Sequence, residues 1–303
     1  MSATLTAVRS QASDFVEMAK PRIALLVLVT TYSGMWLASG GTLSLELVFF
    51  TMLGTGLASA SSGVLNNYID REIDKLMSRT SNRALPTGRV DPQIAFAFGL
   101  LLGFTGFVIL FYAVNPLTAA LAVGTIFFYV VIYTAWLKRS SPLCTEIGGV
   151  AGALPPVLGW AAVTNDIGWP AVVMFLIMFL WQPPHFWALA LLRVEEYRRV
   201  GIPMLPVVSG TRVTKLRMLI YTIALIPATI AMYWLGFAGM AYLVAAIALG
   251  LAYLGLTIKF MMEPVTPRGA RKLFGFSIIY LLILFVMIFV DCQCNGSFSS
   301  GLF

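Results

Sequence analysis

The sequence predicts an all-α integral membrane protein with nine transmembrane helices. Of its 303 residues, 59% are hydrophobic and only 11% are charged, and the mean hydropathy is +0.88. A soluble domain is usually about 45–50% apolar and about 25% charged, so this chain is too apolar for water. Its apolar stretches also lack the alternating segments of about ten residues that a membrane β-barrel needs. The composition excludes collagen, disordered chains and disulfide-rich secreted scaffolds.

Nine apolar stretches are long enough, or nearly so, to cross a bilayer, which requires about 17–25 helical residues. The first stretch is short, and we expect it to extend through Gly40 and Gly41. The nine stretches are residues 23–38, 47–68, 94–114, 117–137, 147–163, 169–192, 218–235, 240–258 and 273–290.

The distribution of basic residues predicts the orientation of these spans. All 20 Lys and Arg residues lie before the first span or in the connections that follow spans two, four, six and eight. Because basic loops remain in the cytoplasm, we expect a cytoplasmic N-terminus, a periplasmic C-terminus and a site that faces the cytoplasm. The net charge of +7 then reflects topology, and we expect no nucleic-acid partner.

The chain divides into a cytoplasmic N-terminal segment at residues 1–21, a nine-helix domain at 22–291 and an outside tail at 292–303. The first segment has neither the apolar run of a signal peptide nor the Arg-rich, acid-poor character of a transit peptide, which favours a bacterial inner membrane. Cys292 and Cys294 in the tail could oxidise or bind a metal. A dispensable tail is the simpler interpretation, because two ligands alone do not make a metal site.

The clearest chemical motif consists of Asn66, Asp70 and Asp74 at the end of the second span. At a spacing of four residues, the three side chains share one helical face over roughly 12 Å. Amide and carboxylate oxygens suit Mg²⁺, which also binds substrate phosphates. The neighbouring basic residues could neutralise phosphate oxygens; they are Arg71, Lys75, Arg79 and Arg83. The alternative is a solvated, charge-balanced helix end, although like charges at this spacing destabilise a helix unless a cation intervenes.

A magnesium–diphosphate site at the mouth of an apolar bundle indicates a lipid diphosphate substrate. The sequence around this site is NNYIDREIDKLMSRTSNRALP, at residues 66–86. It resembles the N-x-x-x-D-x-x-x-D signature of the intramembrane aromatic prenyltransferase superfamily. The blocks WQPPHF at 181–186 and GIPMLPVV at 201–208 narrow the resemblance to the protoheme IX farnesyltransferase family. The likeness extends from Lys20 to Asp291 and implies nine helices around a central cavity.

This resemblance implies that the chain transfers a farnesyl group from farnesyl diphosphate to a vinyl group of heme B with the help of Mg²⁺, and that water completes the hydroxyethylfarnesyl substituent of heme O. The candidate partners that it implies are membrane lipid, a heme-modifying enzyme and a terminal oxidase. Carried over by position, the metal ligands are Asn66, Asp70, Asp74, Glu195 and Glu196, where the two Glu replace a more usual pair of Asp. The expected diphosphate-binding residues are Arg71, Arg79, Arg83, Lys138 and Arg139. The expected catalytic residues are Asp70, Asp74, Lys138 and His185. The expected heme or prenyl contacts are Tyr133, Trp181, Gln182 and His185.

His185 is the only histidine, and it admits two interpretations. It could bind the heme iron or act as a base when water adds, or it could be a hydrogen-bonded structural group. Two other functions also stay open. A related prenyltransferase that acts on a quinone precursor or chlorophyllide would keep the acidic motif but lack the WQPPHF and GIPMLPVV blocks. A secondary transporter would place its charges nearer the membrane midplane.

The orientation is testable with reporter fusions. We expect a reporter fused after Asp291 to be active in the periplasm and one inserted near Arg83 to be active in the cytoplasm, because the basic loops stay inside. A cytoplasmic C-terminus would contradict an odd number of spans.

Overall fold

The computed structural model describes residues 12–291 and confirms the predicted all-α membrane fold. Within that range there is no β-strand, and nine helices are long and apolar enough to cross a membrane. We label them α1 (Pro21–Ser39), α2 (Leu45–Leu76), α3 (Pro92–Ala113), α4 (Pro116–Ser140), α5 (Cys144–Thr164), α6 (Trp169–Ala190), α7 (Gly210–Trp234), α8 (Met240–Met262) and α9 (Pro267–Val290). Residues 1–11 and the tail with Cys292 and Cys294 lie outside the described residues.

The prediction that the first helix extends through Gly40 and Gly41 is wrong. The helix gains its extra length mainly at its N-terminal end. Helix α1 begins at Pro21, whose fixed φ and missing N–H suit the first turn, and it ends at Ser39. Gly40 and Gly41 follow with φ values of 68° and 85°. A left-handed residue after the last turn closes a helix, so the two glycines end α1 instead of prolonging it.

Helix α2 is longer than the bilayer needs. It has 32 residues and spans about 48 Å, whereas the hydrocarbon core is about 30 Å thick. Asn66, Asp70 and Asp74 all lie in its last eleven positions. The acidic motif is therefore part of one continuous helix and projects from the apolar bundle at one end.

The basic connecting segments meet at that same end, which we call the basic end. The N-terminal segment contacts the α2–α3 connection. The end of α4 and the α6–α7 connection contact α2, and the start of α7 contacts the α8–α9 connection. The contacts are Arg89 Nη2 to Asp14 Oδ1 at 3.0 Å, Arg139 Nη2 to the Ile69 carbonyl at 2.7 Å, Arg199 Nη2 to the Leu76 carbonyl at 2.9 Å and Lys215 Nζ to the Glu263 carbonyl at 2.5 Å.

The middle of the bundle is formed by α5 and α6, which are more deeply buried than the other spans. Helix α5 is interrupted at Leu154, between Cys144–Ala153 and Pro155–Thr164, because Pro155 and Pro156 cannot donate backbone hydrogen bonds. The outer helices expose large apolar side chains such as Leu25, Phe104 and Ile220. These side chains form the surface that lipid covers.

Small residues set the closest helix contacts, as expected where close backbone packing replaces the hydrophobic effect. Helix α1 crosses α5 where a Cβ built on Gly34 would lie 2.0 Å from the Pro156 carbonyl oxygen. A Cβ built on Gly159 would lie 1.8 Å from the Thr31 carbonyl oxygen. Helices α2 and α3 also touch closely, and Ser61 Oγ donates to the Gly99 carbonyl over 2.7 Å.

The close contact between α1 and α5 predicts that two glycine substitutions differ greatly in their effect on the free energy of unfolding. We expect Gly159→Ala to cost about 1–3 kcal/mol, because backbone atoms cannot move aside as a flexible side chain can. Gly255→Ala in α8 is the control, since nothing lies within 4 Å of its added methyl group. Thermal unfolding in detergent measures both. A Gly159→Ala variant as stable as the control would contradict the crossing.

Candidate active site

The acidic motif of α2 forms the floor of a polar cluster at the basic end. Asn66, Asp70 and Asp74 are 5%, 1% and 3% exposed, which is unusual for such residues. The Asn66 side-chain Nδ2 donates to Asp70 Oδ2 over 2.9 Å. The structure therefore brings together the three residues that the spacing predicted on one face.

Cationic side chains from other segments balance the two carboxylates. Lys138 Nζ lies 2.5 Å from Asp70 Oδ2, and Arg83 Nη1 lies 2.6 Å from Asp74 Oδ2. Arg139 Nη2 is 3.7 Å from the other oxygen of Asp70. Two carboxylates at this spacing repel each other unless cations lie between them, and the chain itself supplies those cations. Three of the predicted diphosphate-binding residues, Arg83, Lys138 and Arg139, therefore face the acidic motif.

Lys20 also belongs to this cluster, although the sequence analysis did not single it out as a site residue. Its Nζ donates to Asn66 Oδ1 over 2.5 Å. Burial, with the nearby charges of Arg83 and Lys138, lowers the pKa of Lys20 to about 7. Lys20 has a φ of 53°, an uncommon value for a residue with a side chain. Its position before the first span, on the same side as the motif, was the available signal.

A π-helix in α4 brings a second unanticipated residue, Thr134, to the cluster. The π-helical segment is Phe128–Leu137, and such segments frequently occur at functional sites. Thr134 Oγ1 donates to the Tyr129 carbonyl five residues earlier over 2.8 Å. It accepts from Asn66 Nδ2 over 3.1 Å. Thr134 therefore fixes the orientation of the Asn66 amide.

The donor set fits Mg²⁺ bound together with a diphosphate. Asp70 Oδ1 is buried without a hydrogen-bond partner, so one hard oxygen is left over for a further positive charge. Within the described residues, no three or more His, Cys, Asp or Glu side chains are grouped to hold a metal by themselves. Mg²⁺ needs few protein carboxylates when phosphate and water complete its shell. Three cations, Arg83, Lys138 and Arg139, surround two carboxylates, and this excess favours an anionic ligand, which would also favour the protonated form of Lys20.

The remaining predicted polar residues are placed differently. Glu196 accepts from Ser78 N and Oγ, both at 2.7 Å, and these hydrogen bonds lower the pKa of Glu196. The Glu196 side chain thus holds the short helix Val194–Arg199 against the segment after α2. Glu195 is exposed and pairs with Arg198. Arg71 donates to the Tyr68 carbonyl over 2.7 Å, and Arg79 is exposed. The structure does not bring Glu195 or Arg71 into contact with the acidic motif.

Two of the four predicted heme and prenyl contacts, Trp181 and His185 of α6, form an aromatic cluster with Phe274 of α9. His185 is 8% exposed, and its ring lies between Trp181 and Phe274, with both ring centroids 4.3 Å away. His185 Nδ1 lies 2.7 Å from Ser277 Oγ. Trp181 Nε1 donates to the Ser277 carbonyl over 2.7 Å. Both faces and one nitrogen of the imidazole are therefore held in place.

Gln182 and Tyr133 connect the two clusters through α5. Gln182 Nε2 donates to the Gly149 carbonyl over 2.8 Å, which ties α6 to α5. The ring of Tyr133 covers Gly148, where an added Cβ would lie 2.4 Å from Tyr133 Cδ2. Helices α2, α4, α5 and α6 thus form a contiguous path from the acidic motif to His185.

This fold and site define a membrane prenyltransferase, and the chain belongs to the UbiA prenyltransferase family, whose sequence profile matches residues 27–288. It is 48% identical over 291 residues to the protoheme IX farnesyltransferase of Aquifex aeolicus, covering 96% of this chain and 99% of that protein. It is 45% identical over 279 residues to the protoheme IX farnesyltransferase of Symbiobacterium thermophilum, covering 92% and 93%. The resemblance inferred from the motifs is confirmed.

Solved structures confirm the fold. A digeranylgeranylglyceryl phosphate synthase superposes with a TM-score of 0.79 at 18% identity, covering 95% of this chain and 99% of that one. A UbiA homolog from Archaeoglobus fulgidus bound to DMAPP and Mg²⁺ superposes with a TM-score of 0.62 at 15% identity, covering 91% and 99%. At these identities the likeness concerns the fold alone.

The cluster predicts that Asp74→Asn abolishes prenyl transfer while the protein still folds. Asp74 is preferred over Asp70 as the test, because its partner Arg83 is more exposed than Lys138 and tolerates the loss of a counter-charge better. Glu72→Gln on the same helix is the control, since Glu72 is exposed and pairs with Lys75. Product formation by the purified variants, with size-exclusion profiles for folding, measures the effect. Unchanged turnover in Asp74→Asn would remove Asp74 from the site.

Proposed function

We propose that the chain transfers the farnesyl group of farnesyl diphosphate to a vinyl group of heme B, and that the product is heme O with a hydroxyethylfarnesyl substituent. The donor is supported by the buried acidic motif and its excess of cations at the mouth of an apolar bundle. The acceptor is supported by the identity of 48% over 96% of the chain to a protoheme IX farnesyltransferase. That identity is the observation that carries the assignment.

The polar cluster is suited to hold the diphosphate and to promote its departure. The C–O bond of the allylic diphosphate breaks and its electron pair leaves with the diphosphate. Arg83, Lys138 and Arg139 provide fixed positive charge where negative charge accumulates, and the diphosphate would favour the protonated form of Lys20. Mg²⁺, held by Asn66, Asp70 and Asp74, would supply further charge to the leaving group. Glu196 keeps the α6–α7 connection next to this region, and its role as a metal ligand stays part of the proposal.

The aromatic cluster is suited to hold a flat acceptor. The vinyl π electrons of the acceptor form the new C–C bond with the allylic cation, the positive charge moves to the carbon beside the macrocycle, and water adds there with loss of one proton. Aromatic faces such as those of Tyr133 and Trp181 attract cations. The buried bundle excludes water until the acceptor is in place. His185 is the proposed contact to the heme.

We further propose that the protein lies in a bacterial inner membrane with its basic end in the cytoplasm. The positive-inside distribution supports this orientation, and it exposes the polar cluster to a water-soluble diphosphate headgroup while the farnesyl chain lies among the helices. Farnesyl diphosphate, heme B and membrane lipid are the proposed partners. A heme-modifying enzyme or terminal oxidase would receive the product.

The substrates can be tested with the purified protein. With farnesyl diphosphate, Mg²⁺ and heme B, we expect mass spectrometry to detect a heme heavier by one farnesyl group plus one hydroxyl group. Removal of Mg²⁺ with a chelator should abolish the product, and a parallel reaction with 4-hydroxybenzoate should give none. Prenylated benzoate with unchanged heme would overturn the acceptor and favour a quinone-precursor prenyltransferase.

A further inference from the structure

Two of the polar contacts of Ser277 on α9 act on the aromatic cluster of α6. Its hydroxyl oxygen lies 2.7 Å from His185 Nδ1, and its carbonyl accepts from Trp181 Nε1 over 2.7 Å. The side chain is fully buried. One residue of α9 thus fixes both the edge of the imidazole and the indole that stacks on it.

The hydrogen between Ser277 and His185 can be assigned from the surrounding network. A serine hydroxyl has one hydrogen, and Ser277 donates it to the Phe274 carbonyl over 2.6 Å. With that hydrogen on the Phe274 carbonyl, the hydroxyl oxygen is left to accept at His185, and this geometry favours a proton on His185 Nδ1. In a neutral imidazole the other nitrogen then has a free lone pair, and that nitrogen is Nε2.

The stacked rings prevent the imidazole from escaping this arrangement. Trp181 and Phe274 lie on opposite faces of His185 with centroids at 4.3 Å. A ring that is stacked on both faces and bonded at Nδ1 has Nε2 on its remaining edge, and Phe186 makes a further T-shaped contact with the ring at 5.1 Å. Histidines that bind metals have the same pattern, because the second ring nitrogen donates to an oxygen that sets the tautomer and the ring orientation.

We propose that Ser277 is a positioning residue that holds His185 in the Nδ1–H tautomer, so that the Nε2 lone pair is presented to the iron of the acceptor heme. The identity of the acceptor rests on the proposed function, whereas the tautomer does not. Neither Ser277 nor the α9 segment around it belongs to the acidic motif or the WQPPHF block.

The single histidine makes the tautomer directly measurable. Full-length protein grown with histidine labelled at its ring nitrogens gives NMR signals from one imidazole only. At about pH 8, above the ordinary histidine pKa of about 6.5, we expect the wild type to show a protonated Nδ1 and an unprotonated Nε2. Ser277→Ala should give a mixture or the reverse tautomer, and Ser277→Thr, which keeps the hydroxyl, should restore the wild-type pattern.

Ser33→Ala is the matched control. Ser33 is also fully buried and donates to a carbonyl of its own helix, that of Val29, over 2.9 Å. It therefore loses the same atoms as Ser277→Ala without a histidine contact. The tautomer should not change in this variant.

Heme titration followed by the Soret absorption band tests the consequence. We expect Ser277→Ala to weaken heme binding about 10–100-fold, as loss of an outer partner of a metal-binding histidine commonly does, and farnesyl diphosphate binding to stay unchanged. Two NMR results would overturn the proposal: a protonated Nε2 in the wild type, or an unchanged tautomer in Ser277→Ala. Equal heme affinity in the wild type, Ser277→Ala and His185→Ala would also overturn it. A wild type with the expected tautomer that makes no farnesylated heme would contradict the proposed function and leave the tautomer assignment intact.

Discussion

The burial of two like-charged carboxylates one helical turn apart is the constraint on which the basic end depends. Asp70 and Asp74 are almost wholly removed from solvent, and such charges are stable only when they are paired. The pairing groups come from separate parts of the chain, Lys138 from α4 and Arg83 from the α2–α3 connection. The two carboxylates therefore determine where those segments lie relative to α2.

The same pairing arranges the site before any substrate binds. Each cation is already held by a carboxylate or an amide oxygen, as Lys20 is by Asn66, so it need not be ordered when a diphosphate arrives. Such preorganised charge is the main source of electrostatic stabilisation in enzymes. The carboxylates thus have two functions, since they position the cations and offer an oxygen, Asp70 Oδ1, that has no hydrogen-bond partner.

Hydropathy was sufficient to predict the nine spans, because each apolar run is long enough, or nearly so, to cross a bilayer. The spacing of Asn66, Asp70 and Asp74 was sufficient to place them on one face. Residues whose role depends on a distant partner could not be predicted in this way. Thr134 reaches Asn66 only because α4 adopts a π-helix there, which no apolar period reveals. Ser277 is 92 residues from His185, and Arg71 points to Tyr68 through a local contact.

The distance between the diphosphate end and His185 is set by small residues of α5. Tyr133 of α4 covers Gly148, and Gln182 of α6 approaches Gly152 so closely that an added Cβ would lie 2.2 Å from its Oε1. Each glycine removes the volume of a side chain from the layer between α4 and α6, so the two helices can approach each other through α5. This close packing of α4, α5 and α6 also excludes water from the region beside the reacting groups, as a cation formed at the diphosphate end requires. The glycines of α5 are thus as important to the proposed reaction as the charged residues, although they carry no reactive group.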